Sequence, residues 1–144
     1  MRPMTKRYLP DVNVWFALAV EEHQHHAAAR RWWDSVTGYL GFLRLTQIGL
    51  LRLLTSAAPM GGKPLTNEQA WDVYDRFLTD DRVGTFAEVG TDDLFRRYSG
   101  VAQASPKIWV DAYLAAYAAG LTGVVVVTFD QALIRYGAPC QILK

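Results

Sequence analysis

Asp11, Asp111 and Asp130 are the residues whose type and setting could do chemistry in this chain. Asp11 stands in YLPDVNVWFAL, straight after a short apolar run and before an unbroken hydrophobic one. Asp130 closes GVVVVTFD, and Asp111 interrupts the otherwise apolar KIWVDAYLAAYA. Three carboxylates brought together would repel one another, so a cluster of them is tolerable only with shared protons or a cation between them. Hard oxygen ligands with open positions suit Mg2+ or Mn2+. Such ions polarise phosphoryl oxygens and activate bound water. The same acids have a second reading. Asp is a preferred helix cap, so Asp11 and Asp130 could be N-caps and Asp111 a solvated acid favoured by the dipole of a first helical turn. Spacing alone leaves both readings open.

Positioning these acids is the task of the elements around them. Residues 6–10 read as a short strand ending at Asp11, and NVWFALAV as the first turns of a helix. Residues 21–36 read as a second helix, with Ala28, Trp32 and Val36 on one face. GYLGFLRL carries strand-like residues, and TQIGLLRLLTS follows as a helix with Thr46 placed to cap it. PMGGKP, residues 59–64, is a loop; its glycines and Lys lack the spacing of a phosphate-binding loop. Thr66 to Gln69 matches a capping box and opens an amphipathic helix with Ala70, Tyr74, Phe77 and Leu78 inward. RVGTFAE is a short strand, and TDDLFRRYSG a short helix capped by Thr91 and stopped by Gly100. Residues 105–120 form a strong helix ending at Gly120. The four valines of GVVVVTF predict a strand buried on both faces, as inside a parallel sheet. DQALIRYG is a small helix and CQIL a last strand. This alternation predicts an α/β fold, a parallel sheet of about five strands with helices on both sides. One domain over residues 1–144 is expected, without repeats or a dividing linker. Ligands of open α/β sheets bind beyond the carboxyl ends of the strands. Asp11 and Asp130 would share that edge if their strands are neighbours, and Asp111 arrives from the helix just upstream.

The bulk properties fit a chain of this kind. At 144 residues, half of them hydrophobic, it is long enough to bury a real core. Five Trp, seven Tyr and six Phe supply an aromatic interior with enough left over for an interface. No apolar run reaches the length of a membrane span. Pro10, Asp11 and Asn13 within the first apolar stretch argue against a cleavable signal peptide. The single Cys140 forms no internal disulfide, which fits a reducing cytosol. The net charge of +1, from 15 basic and 14 acidic residues, excludes a broadly basic nucleic-acid coat. It leaves room for a local basic patch or for a nucleic-acid site that uses a metal ion.

With these residues assembled, the chain resembles PIN-domain proteins of the VapC toxin type. LPDVNVWFALA resembles the family's opening motif, an acid at the end of the first strand with Asn two residues on. HQHHAAARRWW is similar to the helix that follows in one VapC subgroup. LTQIGLLRLLT resembles the segment that ordinarily carries the second acid, WVDAYLAAYA the third, and VVTFD the fourth. The resemblance covers nearly the whole chain in the right order, and the ordered set is specific. It implies a PIN-like three-layer fold and a cytoplasmic, metal-dependent endoribonuclease, the toxin half of a type II toxin–antitoxin pair. The implied substrate is structured RNA such as tRNA or rRNA. Asp11, Asp111 and Asp130 would hold Mg2+ or Mn2+, Gln47 would complete the catalytic set, and Asn13 and Thr128 would orient ligands or water. A homodimer held by helices and a VapB-like antitoxin belong to the same implication. One departure stands out: Gln47 occupies a place where many members carry Glu. An amide hydrogen-bonds but lacks a carboxylate's charge and basicity, which lowers the expected metal affinity and weakens any proposal of a Glu base.

Around this set, Arg44, Arg52 and Lys107 are candidate phosphate contacts, weighed against plain solvation. His23, His25 and His26 fall on one expected helical stretch, but no third ligand accompanies them, so exposed or interface histidines are expected. In RRWW, Trp32 reads as core and the arginines as solvated. The stripe Trp71, Tyr74, Phe77, Leu78 reads chiefly as core, with part of it open to a dimer seam or an antitoxin groove. Two other functions compete. Phosphotransfer with Asp11 as nucleophile is opposed by Asn13, where haloacid-dehalogenase-like proteins usually place a second Asp. A non-catalytic RNA- or partner-binding module with a weakened metal site is motivated by Gln47.

Overall fold

The computed structural model describes residues 5–144, so part of the basic start MRPMTKR lies outside the described residues. The chain runs β1 (Arg7–Pro10), α1 (Val12–Ala19), α2 (His26–Ser35), β2 (Tyr39–Phe42), α3 (Arg44–Leu54) and α4 (Asn67–Leu78). It continues through β3 (Val83–Thr85), α5 (Asp92–Ser99), α6 (Ile108–Gly120), β4 (Val124–Thr128), a 3-10 helix (Gln131–Tyr136) and β5 (Cys140–Ile142). The strands form one sheet in the order β3-β2-β1-β4-β5, and every pairing is parallel. The α/β expectation is therefore borne out, with β1 at the centre and the valine strand β4 beside it.

Side-chain alternation along the strands splits the core into two layers. Leu9, Val124 and Val126 face α6 and the 3-10 helix, packing with Leu114, Tyr117, Ala118 and Leu133. Leu40, Phe42 and Val127 face the other way, against Trp15, Phe16 and Trp32 and the α3–α4 residues Leu50, Leu54 and Tyr74. Trp15 and Phe42 stack with ring centroids 3.9 Å apart. Each fully buried apolar side chain of this size contributes about 1.5–3 kcal/mol, so the sheet is clamped from both faces and its carboxyl edge is held in place. Among the described residues no helix is long and apolar enough to cross a membrane.

Several local expectations need correction. α2 starts at His26 rather than at residue 21; His23 N–H and His26 N–H instead donate to Val20 O and His23 O in a turn. α3 starts at Arg44, so Thr46 is its third residue and not its cap; the Thr46 hydroxyl accepts from the Leu43 N–H at 3.0 Å. Thr91 stands at the N-cap of α5, but its side chain caps nothing. On α4, Ala70 and Tyr74 are buried as expected, Phe77 is half-buried, and Trp71 and Leu78 are exposed at 45% and 38%. The α4 stripe is wider than the layer beneath it, so its margins are left outside the core. The capping box at Thr66 and Gln69 forms as expected.

Candidate metal centre at the β1–β4 edge

The strand order reverses direction at the β1–β4 pair. β1 connects through α1 and α2 to β2 on one side, while β4 lies on the other. A crevice beyond the carboxyl ends of two such strands is where open α/β sheets bind ligands. Arg7 to Pro10 pair with Val124 to Val127, and the next backbone bond, Asp11 N–H to Val127 O, is 2.8 Å. That register carries Asp11 and Asp130 to the same edge.

Thr128 ties this edge together. Its buried hydroxyl donates to Asp11 Oδ2 at 2.9 Å and accepts from the Asn13 amide at 3.2 Å and from the Asp130 N–H at 3.0 Å. A hydroxyl has one donor and two acceptor positions, and all three are used. Asn13 returns the tie, its Oδ1 accepting from the Phe129 N–H at 3.3 Å. The first turn of α1 is thus pinned to the end of β4. Asn13 is spent on this clasp, which leaves no second acid for the phosphotransfer arrangement.

The cap reading holds for two of the acids. Asp11 is the N-cap of α1, accepting from the Val12 N–H at 2.7 Å, and Asp130 is the N-cap of the 3-10 helix, accepting from the Ala132 N–H at 2.9 Å. Capping uses only part of a carboxylate's roughly four lone-pair positions. Asp11 is buried, and burial is what chiefly raises its pKa; the Thr128 hydroxyl and Val12 N–H pull it back, and the charge of Asp130 adds a smaller upward push. Asp111, half-buried in the first turn of α6, is pushed up to about 6 by burial first and then by the charges of Asp11 and Asp130, with Arg135 opposing. Among the described residues no hydrogen bond holds its carboxylate. Among the described residues, no three His, Cys, Asp or Glu side chains are close enough to enclose an ion as they stand. The acids are neighbours at one edge rather than a closed cage. Their chemistry, all oxygen and all of one sign, fits a hard divalent cation.

The remaining candidates are dispersed. Gln47 is buried and its Oε1 accepts from Arg44 Nη1 at 2.6 Å, in a cleft it shares with Tyr74 and Phe86. Among the described residues no hydrogen bond connects it to the three acids. Arg52 is exposed and lines a separate cleft between α3 and Trp71 of α4. Lys107 is the exposed N-cap residue of α6. Sequence reading missed Arg135, whose charge reaches Asp111 from the 3-10 helix; a basic residue shortly after Asp130 was the available signal. It also missed the stacking of His25 on Phe129, with ring centroids 4.5 Å apart, which packs the turn before α2 against the clasp.

The PIN-domain family model matches residues 8–139, all but the ends of the chain. The chain belongs to the PIN-domain family. Within it, this PIN protein is 44% identical over 138 residues to Ribonuclease VapC41 of Mycobacterium tuberculosis, across 90% of this chain and 92% of the relative. That likeness makes it a PIN protein of the VapC type. Among solved structures, Mycobacterium tuberculosis VapC20, a sarcin–ricin-loop-cleaving toxin, superposes with a TM-score of 0.71 at 16% identity, covering 95% of this chain and 99% of that one. VapBC2 of Rickettsia felis, solved on a DNA fragment from its promoter, superposes with a TM-score of 0.57 at 10% identity over 95% and 98% of the two chains. At these identities the two structures bear on the fold, and they agree with the parallel sheet described above.

Proposed function

We propose that the chain is a single-domain, cytoplasmic, divalent-metal-dependent endoribonuclease, the toxin of a type II toxin–antitoxin pair, acting on structured RNA such as tRNA or rRNA. The observation that supports this reading is the parallel β1–β4 register, which brings Asp11 and Asp130 to one sheet edge, with Asp111 near enough to feel both charges. Kinship to Ribonuclease VapC41 supports the same activity class. Mg2+ or Mn2+ bound there would polarise a phosphoryl oxygen and activate water. The chain's own residues do the rest. Asp11 is held still by Thr128 and the Val12 N–H, so it presents its free lone pairs in a fixed direction. Asp130 is fixed by its cap bond, and Asp111 on α6 lies within reach of both charges. The reaction adds water across a phosphodiester, leaving one phosphorylated and one hydroxyl end.

Partners follow from the surface. The cleft of about 600 Å3 beside α4, with Leu18, Trp33, Val73 and Phe77 on its walls and Glu21, Arg30 and Arg76 among them, is the proposed seat of an amphipathic helix of a VapB-like antitoxin. The apolar start of α6 is the proposed homodimer seam, with Trp109 55% exposed.

Purified protein, stripped with EDTA and resupplied with Mg2+ or Mn2+, should cleave a restricted set of cellular RNAs. Asp11→Asn should abolish cleavage, a loss of at least about 100-fold given what fixed electrostatic groups supply in such sites. Equal cleavage by that variant, with contaminating nuclease ruled out, would sink the assignment. The engagement of Gln47 by Arg44 favours a second reading, a non-catalytic binding module. Saturable Mn2+ binding that depends on Asp111 and Asp130 would count against it.

A further inference from the structure

A carboxylate centre leaves the phosphates flanking the scissile one without a counter-charge, and an acidic crevice repels an RNA strand unless a cation stands at its rim. Arg135 is placed for that task. It lies on the 3-10 helix that Asp130 caps, and that helix packs against α6, the helix of Asp111. Its guanidinium carbon sits 5.0 Å above the Tyr136 ring centroid, and Nη2 donates to the Tyr136 hydroxyl at 3.0 Å. Tyr136 in turn packs on Tyr98 of α5, with centroids 5.5 Å apart. Arg135 is exposed, and the two ion pairs among the described residues are Arg30–Asp34 and Arg82–Asp80, neither involving it.

These features separate Arg135 from the chain's other candidate cations. Arg44 is bonded to Gln47, and Arg52 belongs to the α3–α4 cleft. A guanidinium propped on an aromatic ring loses less freedom on binding than a free lysine does, and its planar fork matches two phosphate oxygens. Arginine beside aromatic rings is also the makeup of grooves that track single-stranded nucleic acid.

We propose that Arg135 is the substrate-phosphate contact of this site, clamping a phosphate next to the one cleaved, with Tyr136 aiming the guanidinium. The inference rests on the ribonuclease reading and adds the residue that seats the strand. A rival role exists for the same position. Because the charge of Arg135 also reaches Asp111, it could serve only to offset the acids. A phosphate clamp is read in substrate affinity and salt dependence, and an offset to the acids is read in metal affinity and turnover.

The experiment uses a fluorescent oligoribonucleotide cut by the wild-type protein, with Arg135→Ala and Arg135→Lys as variants. Arg135→Ala should raise KM about tenfold while kcat stays within about threefold, the size expected for one lost charged contact. Its binding should lose about 0.7 of the slope of log affinity against log salt, the share of one phosphate on a single strand. Arg135→Lys should regain part of the loss, and Mn2+ affinity should match the wild type. Unchanged KM and salt slope would overturn the proposal, as would a fall in kcat accompanied by altered Mn2+ affinity. Equilibrium binding of the same oligonucleotide in an Asp11→Asn background reads the contact without cleavage. If the wild-type protein cuts no RNA, the ribonuclease reading fails; weaker binding of a structured hairpin oligoribonucleotide by the double variant than by Asp11→Asn alone would still uphold Arg135 as an RNA-phosphate contact, and equal binding would overturn it.

Discussion

At the scale of single residues, the acids answer two demands with the same atoms. Asp11 and Asp130 each satisfy a helix-start N–H at the same sheet edge, and a cap bond leaves carboxylate lone pairs free for the proposed ligand role. Their meeting was legible because each closes a strand, and parallel strands deliver their carboxyl ends to one edge. Gln47 and Arg135 were not legible, because side-chain direction on a helix depends on what packs against it. Asp111 carries the clearest consequence. Its pKa in the folded protein, about 6, lies above its ordinary value of 3.8. Between those two values the folded state keeps a proton that the unfolded chain has released, so this group's contribution to stability falls as pH rises through that window. In EDTA, Asp111→Asn should therefore melt higher than wild type at pH 7.5, and the gap should close towards pH 4. Adding Mn2+ should raise the melting temperature of wild type more than that of the variant. Melting curves whose difference is constant from pH 4 to 7.5 would contradict the burial and repulsion described for this carboxylate.

At the scale of elements, the site depends on how closely α1 approaches α3. A Cβ added at Gly49 of α3 would lie 2.6 Å from a Val12 methyl, inside any normal contact. Val12 follows Asp11 directly, so a push there is a push on the clasp. Gly49→Ala gains about 1 kcal/mol of helix propensity but overpacks a tight helix pair, which costs typically 1–3 kcal/mol. We expect a net destabilisation of about 1 kcal/mol, with weaker Mn2+ binding because Asp11 is displaced. Chemical denaturation and Mn2+ titration of the variant check both, and a variant more stable than wild type would contradict the close packing. Such an approach was hidden from the sequence, since nothing local distinguishes this glycine in TQIGLLRLL from a merely tolerated one. The strand order was partly legible: four valines demanded an interior strand. The starts of α2 and α3 were not, because the chain turns through His23 and the hydroxyl of Thr46 bonds backward to Leu43 from inside its helix.

At the scale of the whole molecule, the exposed apolar residues are not spread evenly. Trp109 and Val110 stand 55% and 39% exposed at the start of α6. With Leu45, Phe95 and Tyr113 they wall an open apolar cleft of about 250 Å3. Trp109 rests edge-on against Phe95, with centroids 6.2 Å apart, so the indole is held out from the surface rather than folded onto it. Large aromatic residues at the centre of an interface carry a disproportionate share of binding energy. The proposed homodimer seam therefore has an identifiable anchor, two residues before Asp111 on the same helix. Trp109→Ser should weaken self-association at least about tenfold, a loss of about 1.4 kcal/mol, with little change in the stability of the isolated chain because the side chain is mostly outside the core. Trp71→Ser, in the separate α3–α4 cleft, should leave self-association unchanged. Sedimentation velocity over a concentration series distinguishes the two variants. A wild-type protein that stays monomeric throughout, or a dimer indifferent to Trp109→Ser and broken by Trp71→Ser, would move the seam away from α6 and free this cleft for another occupant.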